Sequence, residues 1–261
     1  MPELEGQLRS VLVERVGAVV RMFGPPRAPA ELQSVLQFIG MMGQERLLAS
    51  LRTAEAPAQA TLLAQAALLA GPLRNVVDRV PKMSATGVGS IIAACREHPF
   101  SAVRPLLVLG VNHAEPDARA AAMDALTSAQ ALPLAAEVRK RLGDREAKVR
   151  MAAARVLSGV EDAASVPLLG QLLKRTDVAA DERAGIVRAL GELSGQAAAV
   201  LLRAEFGTEK QLELRCEIAE ALGRIGDTTS MELLKKEASR MLAPAALKAA
   251  CLKYVPRAGS R

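Results

Sequence analysis

Catalysis needs a nucleophile, a base or a set of metal ligands brought together, and this chain has few candidates for any of them. Its two histidines, His98 and His113, are far apart, and although Cys95 lies three residues before His98, no second pair of ligands accompanies it. Three cysteines, Cys95, Cys216 and Cys251, are far apart and never form a CxxC pair. That pattern predicts buried small apolar side chains in a reducing compartment, with no disulfide framework and no zinc site. No Walker loop, GxSxG or HExxH is present, and "GVGS" at 87–90 lacks the preceding strand and further glycines of a phosphate loop. It is expected to be an irregularity at a helix start. The carboxylates are spread through turns and wet helix faces rather than paired for acid and base work. The expectation is therefore no catalytic residue, no cofactor, no metal and no enzymatic activity.

One spacing does recur. "DREAKVRMAAARVL" places Asp144 six residues before Arg150; Asp177 and Arg183 repeat the arrangement, as do Glu209 and Arg215. Upstream, Arg119 has His113 in the place of the acid; downstream, Lys248 has Leu242. The basic positions 119, 150, 183, 215 and 248 step by 31, 33, 32 and 33 residues, a period that marks repeat architecture.

Within each repeat an apolar residue follows the basic one at +7 (Leu126, Leu157, Leu190, Leu222, Val255) and a charged one at +5 (Asp124, Arg155, Arg188, Glu220, Lys253). Apolar or small residues at +3 and +4 complete a helix with one buried and one solvated side. Breaks such as "TSAQA", "SGVEDAA", "GELSGQ" and "GRIGDTT" follow, with Gly and Asp suited to ending one helix and capping the next. A second apolar-periodic run then begins, with Pro133 and Pro167 expected near its start. The predicted unit is helix, short turn, helix.

These residues resemble HEAT repeats, in particular the short bacterial kind described as phycobilisome-lyase HEAT-like repeats. The likeness rests on the acid at the inter-unit turn, "VR" at 149–150, the Ala-rich first helix and "ALGRIGD". It is clear over 112–255 and degenerate over 25–111, where helix-pair lengths persist without the acid and the arginine. The resemblance implies an all-α, right-handed α-solenoid of stacked antiparallel helix pairs, HEAT/armadillo-like. Residues 1–261 would form a single domain, with a capping helix at 1–24 and a flexible tail at 256–261.

Composition agrees with an all-α fold. Half of the 261 residues are hydrophobic, dominated by Ala, Leu and Val, with four Phe, one Tyr and no Trp; small and γ-branched side chains suit close-packed helices better than sheets. The N-terminal "MPELEGQLRS" lacks the apolar core of a signal peptide. The most apolar window, "ATLLAQAALLAGPL", is shorter than the ~20 residues a bilayer crossing needs. A cytoplasmic protein without membrane contact is expected.

In HEAT-like repeats the acid and arginine positions form a structural ladder, so Asp144, Arg150, Asp177, Arg183, Glu209 and Arg215 are expected to bond neighbouring turns and hold register, each pair contributing under ~1 kcal/mol as a surface ion pair. The second helices carry Arg139, Lys140, Arg141, Lys174, Arg175, Arg203, Lys235, Lys236 and Arg240. In a curved solenoid these line the concave side and would offer a basic groove to an acidic protein partner.

The net charge of +6 divides evenly, +3 before residue 111 and +3 after it. That and the scarcity of aromatics disfavour nucleic acid without excluding backbone contacts. The leading expectation is a non-enzymatic scaffold or adaptor. The alternatives are a nucleic-acid-binding or DNA-repair-type protein, although the repeat-type glycosylases use Trp, which this chain lacks, and a bilin lyase or lyase-associated chaperone. Replacing Arg183 with Ala should lower the thermal unfolding midpoint while leaving the helical circular dichroism spectrum intact; an unchanged midpoint would count against the ladder.

Overall fold

The computed structural model describes residues 43–52, 57–69 and 71–255. The expected capping helix at 1–24, the first part of the degenerate region and the tail at 256–261 lie outside these described residues. Fourteen α-helices and no strand occur among them. The chain divides into two compact units, residues 1–130 and 131–261.

The first unit contains α1 (Gln44–Arg52), α2 (Pro57–Leu69), α3 (Leu73–Val77), α4 (Ala85–Ala94), α5 (Phe100–Val111) and α6 (Pro116–Asp124). Helices α2, α4 and α6 pack side by side, and α3 packs on α5 beside them. Ile91, Ile92, Leu106 and Leu107 fill the space between and are wholly buried. The helix-pair lengths expected of the degenerate repeats are present here without the acid and arginine. Buried Gln44 takes over part of the tying, donating to the Ala67 carbonyl at 3.0 Å and accepting from Asn75 Nδ2 at 2.8 Å.

Helix α7 (Ser128–Lys140) crosses the boundary between the units. It begins earlier than the sequence pattern suggests, so Pro133 sits six residues inside it rather than near its start. The cause is a reciprocal cap: the Thr127 backbone N–H donates to Gln130 Oε1 at 3.0 Å, and the Gln130 N–H donates to Thr127 Oγ1 at 3.4 Å. The Thr127 N–H gains a partner this way, and the Gln130 N–H adds it to its bond with the Thr127 carbonyl, which starts the helix despite a later proline.

The second unit continues with α8 (Ala147–Gly159), α9 (Val166–Leu173), α10 (Ala180–Leu193), α11 (Gly195–Thr208), α12 (Leu212–Ile225), α13 (Thr228–Ala238) and α14 (Ala245–Leu252). First helices form one row, α8 on α10 on α12 on α14, and α9 packs on α11 in the second. This is an all-α, HEAT-like stack of helix pairs, with Leu157, Leu169, Leu173, Ile186 and Leu190 as its buried seams. Each such leucine contributes about 2 kcal/mol by leaving water. Pro167 is at the start of α9 as expected. In the "GRIGDTT" break Gly226 adopts φ +70° to end α12, and the Asp227 side chain accepts from the Ser230 N–H at 3.3 Å to begin α13.

Small residues let the first helices approach closely. A Cβ at Gly191 would lie 2.9 Å from the Ala221 Cβ and 3.1 Å from its Cα, so any side chain there pushes α10 away from α12. Gly191→Val should destabilise the protein by about 1–3 kcal/mol through overpacking, read as a lower denaturation midpoint. Wild-type stability would mean the row is looser than described.

Candidate functional site

At Asp144 and Glu209 the acid six residues before the arginine acts on its own turn, whereas Asp177 pairs with Arg175. Asp144 Oδ1 accepts the Glu146 N–H at 3.1 Å, and Glu209 Oε1 accepts the Gln211 N–H at 2.8 Å. His113, in the equivalent place upstream, does the same with Nδ1, which accepts the Glu115 N–H at 3.0 Å. Its Nε2 lies 3.1 Å from the Val80 carbonyl. Each of these side chains fixes the turn that leads into the first helix.

At Arg119 and Arg150, two of the four repeating arginines, the side chain closes the same turn from the other side. Arg119 Nη1 donates to the carbonyls of His113 and Ala114 at 2.8 and 2.7 Å, and Arg150 Nη1 donates to those of Asp144 and Arg145, both at 2.8 Å. The six-residue spacing thus sets the guanidinium one helical turn above the carbonyls that it caps.

The remaining guanidinium nitrogens reach forward to the next element. Arg150 makes a bidentate pair with Glu182 of α10 at 2.6 and 2.7 Å, Arg183 meets Glu209 before α12 at 2.6 Å, and Arg215 meets Glu237 of α13 at 3.0 Å. Two of these three acids, Glu182 and Glu237, fall outside the repeating acid position and were missed by reading the sequence. The guanidinium of Arg215 also lies 4.9 Å from the centre of the Phe206 ring.

The pairs differ from the expected surface ladder in burial. Arg150 is 5% exposed and Glu182 3%; the Glu182 hydrogen bonds hold the Arg150 guanidinium above its ordinary pKa. Burial alone would raise the Glu209 carboxyl. The N–H of Gln211 and the Arg183 guanidinium outweigh it and leave Glu209 below its ordinary value. Asp177 faces solvent, where the hydrogen bonds from Arg175 bring it down to about 2.

The expected basic groove is largely neutralised within the chain. Arg139 lies 3.6 Å from Asp162, Lys140 2.9 Å from Glu137, Arg141 3.7 Å from Asp144 and Arg175 2.5 Å from Asp177. Arg203 holds Asp227 at 2.6 Å and Ser230 at 2.9 Å; Arg240 holds Glu237 at 3.0 Å. Lys174, Lys235 and Lys236 are exposed and form no ion pair among the described residues. Cations that share a helix end in the sequence are therefore mostly committed to carboxylates of their own or the following hairpin.

Groups with chemical potential are not gathered. Burial pushes the Cys95 thiol up to about 12 and the Cys251 thiol up to about 11, and at half-buried Cys216 burial and then nearby Glu213 raise it. All three are poor nucleophiles. "GVGS" lies within α4, where Ser84 Oγ caps the Gly87 N–H at 3.2 Å and Gly89 packs against Ala121. Among the described residues no three His, Cys, Asp or Glu form a metal cluster, and no helix is long and apolar enough to cross a membrane.

The buried pair yields a double-mutant prediction. Arg150→Ala leaves Glu182 buried without its partner and should cost about 3–5 kcal/mol in chemical denaturation. Arg150→Met combined with Glu182→Leu should recover much of this, short by about 1 kcal/mol for each turn carbonyl left uncapped. A double variant no more stable than the single one would show that the stranded carboxylate is not the source of the loss.

Comparison with known proteins agrees with this geometry. The model of the PBS lyase HEAT-like repeat matches residues 149–175 and 214–238. The first segment starts at Val149-Arg150 and runs through α9; the second spans most of α12 and α13. No curated protein matches the chain. A structure of human deoxyhypusine hydroxylase in complex with glycerol aligns with 18% identity over 82% of this chain and 84% of that one, with a TM-score of 0.31. These two segments make this part of the chain similar to the PBS lyase HEAT-like repeat, in keeping with its stacked helix pairs.

Proposed function

We propose that the chain is a non-enzymatic scaffold or adaptor that docks a partner protein on the solvent face of its second helices. The observation that carries this reading is a run of large apolar side chains in water on three successive second helices: Leu132 on α7, Leu168 on α9 and Val200 on α11. Each lies away from its helix's core stripe, which is Ala131, Leu134, Ala135 and Val138 on α7, Leu169 and Leu173 on α9, and Ala198, Ala199 and Leu202 on α11. One exposed leucine is ordinary, but recurrence on consecutive repeats is what a protein-binding surface requires. The paired state of Arg139, Arg141, Arg175, Arg203 and Arg240 weighs against phosphate binding, which needs free cations. Cytoplasmic location and a protein partner fit this reading.

Cross-linking and affinity purification with the wild-type chain and with Leu168→Ser/Val200→Ser is the test. A protein captured by wild type and lost by the equally stable variant is expected. A gel-shift titration of duplex DNA at two salt concentrations runs beside it. Salt-sensitive binding that survives the double substitution would replace the reading with a nucleic-acid one, and turnover by the purified chain would remove it.

A further inference from the structure

Helix α14 carries the same inter-repeat face as its predecessors. On α8, α10 and α12 the positions 0, +4 and +8, counted from the repeating arginine, look toward the following repeat. At position 0, Arg150 holds Glu182 of the following first helix, Arg183 holds Glu209 in the turn before α12, and Arg215 holds Glu237 on α13 of its own hairpin. At +8, Ser158 Oγ donates to Glu192 at 2.7 Å, Gly191 abuts Ala221 and Gly223 abuts Tyr254. Position +4 lies between them on the same stripe, and there Ala154, Val187 and Ala219 are all buried.

On α14 these positions are Lys248 and Leu252, and Leu252 is 55% exposed. Ala245 and Ala249, one turn away on the same side, are exposed as well. The turn before α14 adds Met241 and Leu242, 90% and 96% exposed, where earlier repeats place Gly143 and Asp144, Thr176 and Asp177, or Thr208 and Glu209. Lys248 Nζ donates to the Met241 carbonyl at 3.3 Å, a single-bond version of the arginine's grip on its turn. It holds no carboxylate among the described residues.

Among the described residues this face is apolar around Lys248. We propose that the outer face of α14 is a second docking surface, which takes an amphipathic α-helix of another protein as if it were the next repeat helix. Its apolar stripe covers Leu252, Ala249 and Ala245, and a carboxylate meets Lys248. On α8 this face is covered by α10, a helix that packs on it and brings Glu182 to Arg150. A second copy using its own α14 fits poorly, because α14 has no acidic residue and would set Lys248 against Lys248. This proposal is independent of the second-helix surface described above and fails or holds separately from it.

The test uses the full chain and a helix-stabilised peptide of residues 177–195, the segment whose Glu182 meets Arg150 when α10 packs on α8. Fluorescence anisotropy should show saturable binding, lost with Leu252→Asp in the chain and weakened severalfold by Lys248→Glu. Glu182→Lys in the peptide should weaken it equally, and the two charge reversals combined should restore it. Leu252 is exposed and Lys248 half-buried, and unchanged thermal midpoints exclude unfolding as the cause. Binding indifferent to Leu252→Asp, or charge reversals that fail to compensate, would overturn the proposal. So would concentration-dependent self-association abolished by Leu252→Asp, which would make the occupant a second copy, or a photo-cross-link from position 252 to residues 1–42 of the same chain.

Discussion

The guanidinium at the repeating basic position is the interaction on which the regular part of the molecule depends. At Arg150 one guanidinium performs two tasks at fixed geometry: Nη1 caps two carbonyls of its own turn, and the remaining nitrogens reach a carboxylate in the following hairpin. Turn shape and repeat-to-repeat register are thereby coupled, because the planar fork cannot satisfy one without fixing the direction of the other. Lysine has no such fork, and at Lys248 the turn contact survives while no forward ion pair is made among the described residues.

Register alone supplies little stability. The energy comes from leucine and isoleucine seams between rows of first helices, and the rows approach closely because alanine and glycine occupy the contact. Burial then alters what the ion pairs mean. At Arg150 and Glu182 both charges are out of water, so the pair's worth lies in the penalty for separating them rather than in a net gain over apolar residues. Arg183 and Arg215, less buried, make the same contact at lower stakes.

The same economy of charge bears on function. A row of cations at the ends of second helices suggests a surface for acidic ligands, yet most of those cations hold carboxylates of their own or the adjoining hairpin. What the second helices offer to solvent instead is apolar: Leu132, Leu168 and Val200. On the proposed scaffold reading, shape and hydrophobic contact, with a few lysines around them, are the means of recognition.

The sequence by itself determined the helix pairs, their period and the fold class, because apolar spacing and turn residues act over a few neighbours and recur every 31 to 33 residues. The positions of Arg150, Arg183 and Arg215 were legible for the same reason. Which acid each arginine would meet was not, since Glu182 and Glu237 lie 32 and 22 residues away and at different heights on their hairpins. The early start of α7 was hidden too, because Thr127 and Gln130 read as a polar break until their side chains are seen to cap each other. Tertiary structure alone decided which charges are spent internally and which apolar side chains stay in water. Both depend on distances between helices far apart in the chain, and local periodicity carries no information about them.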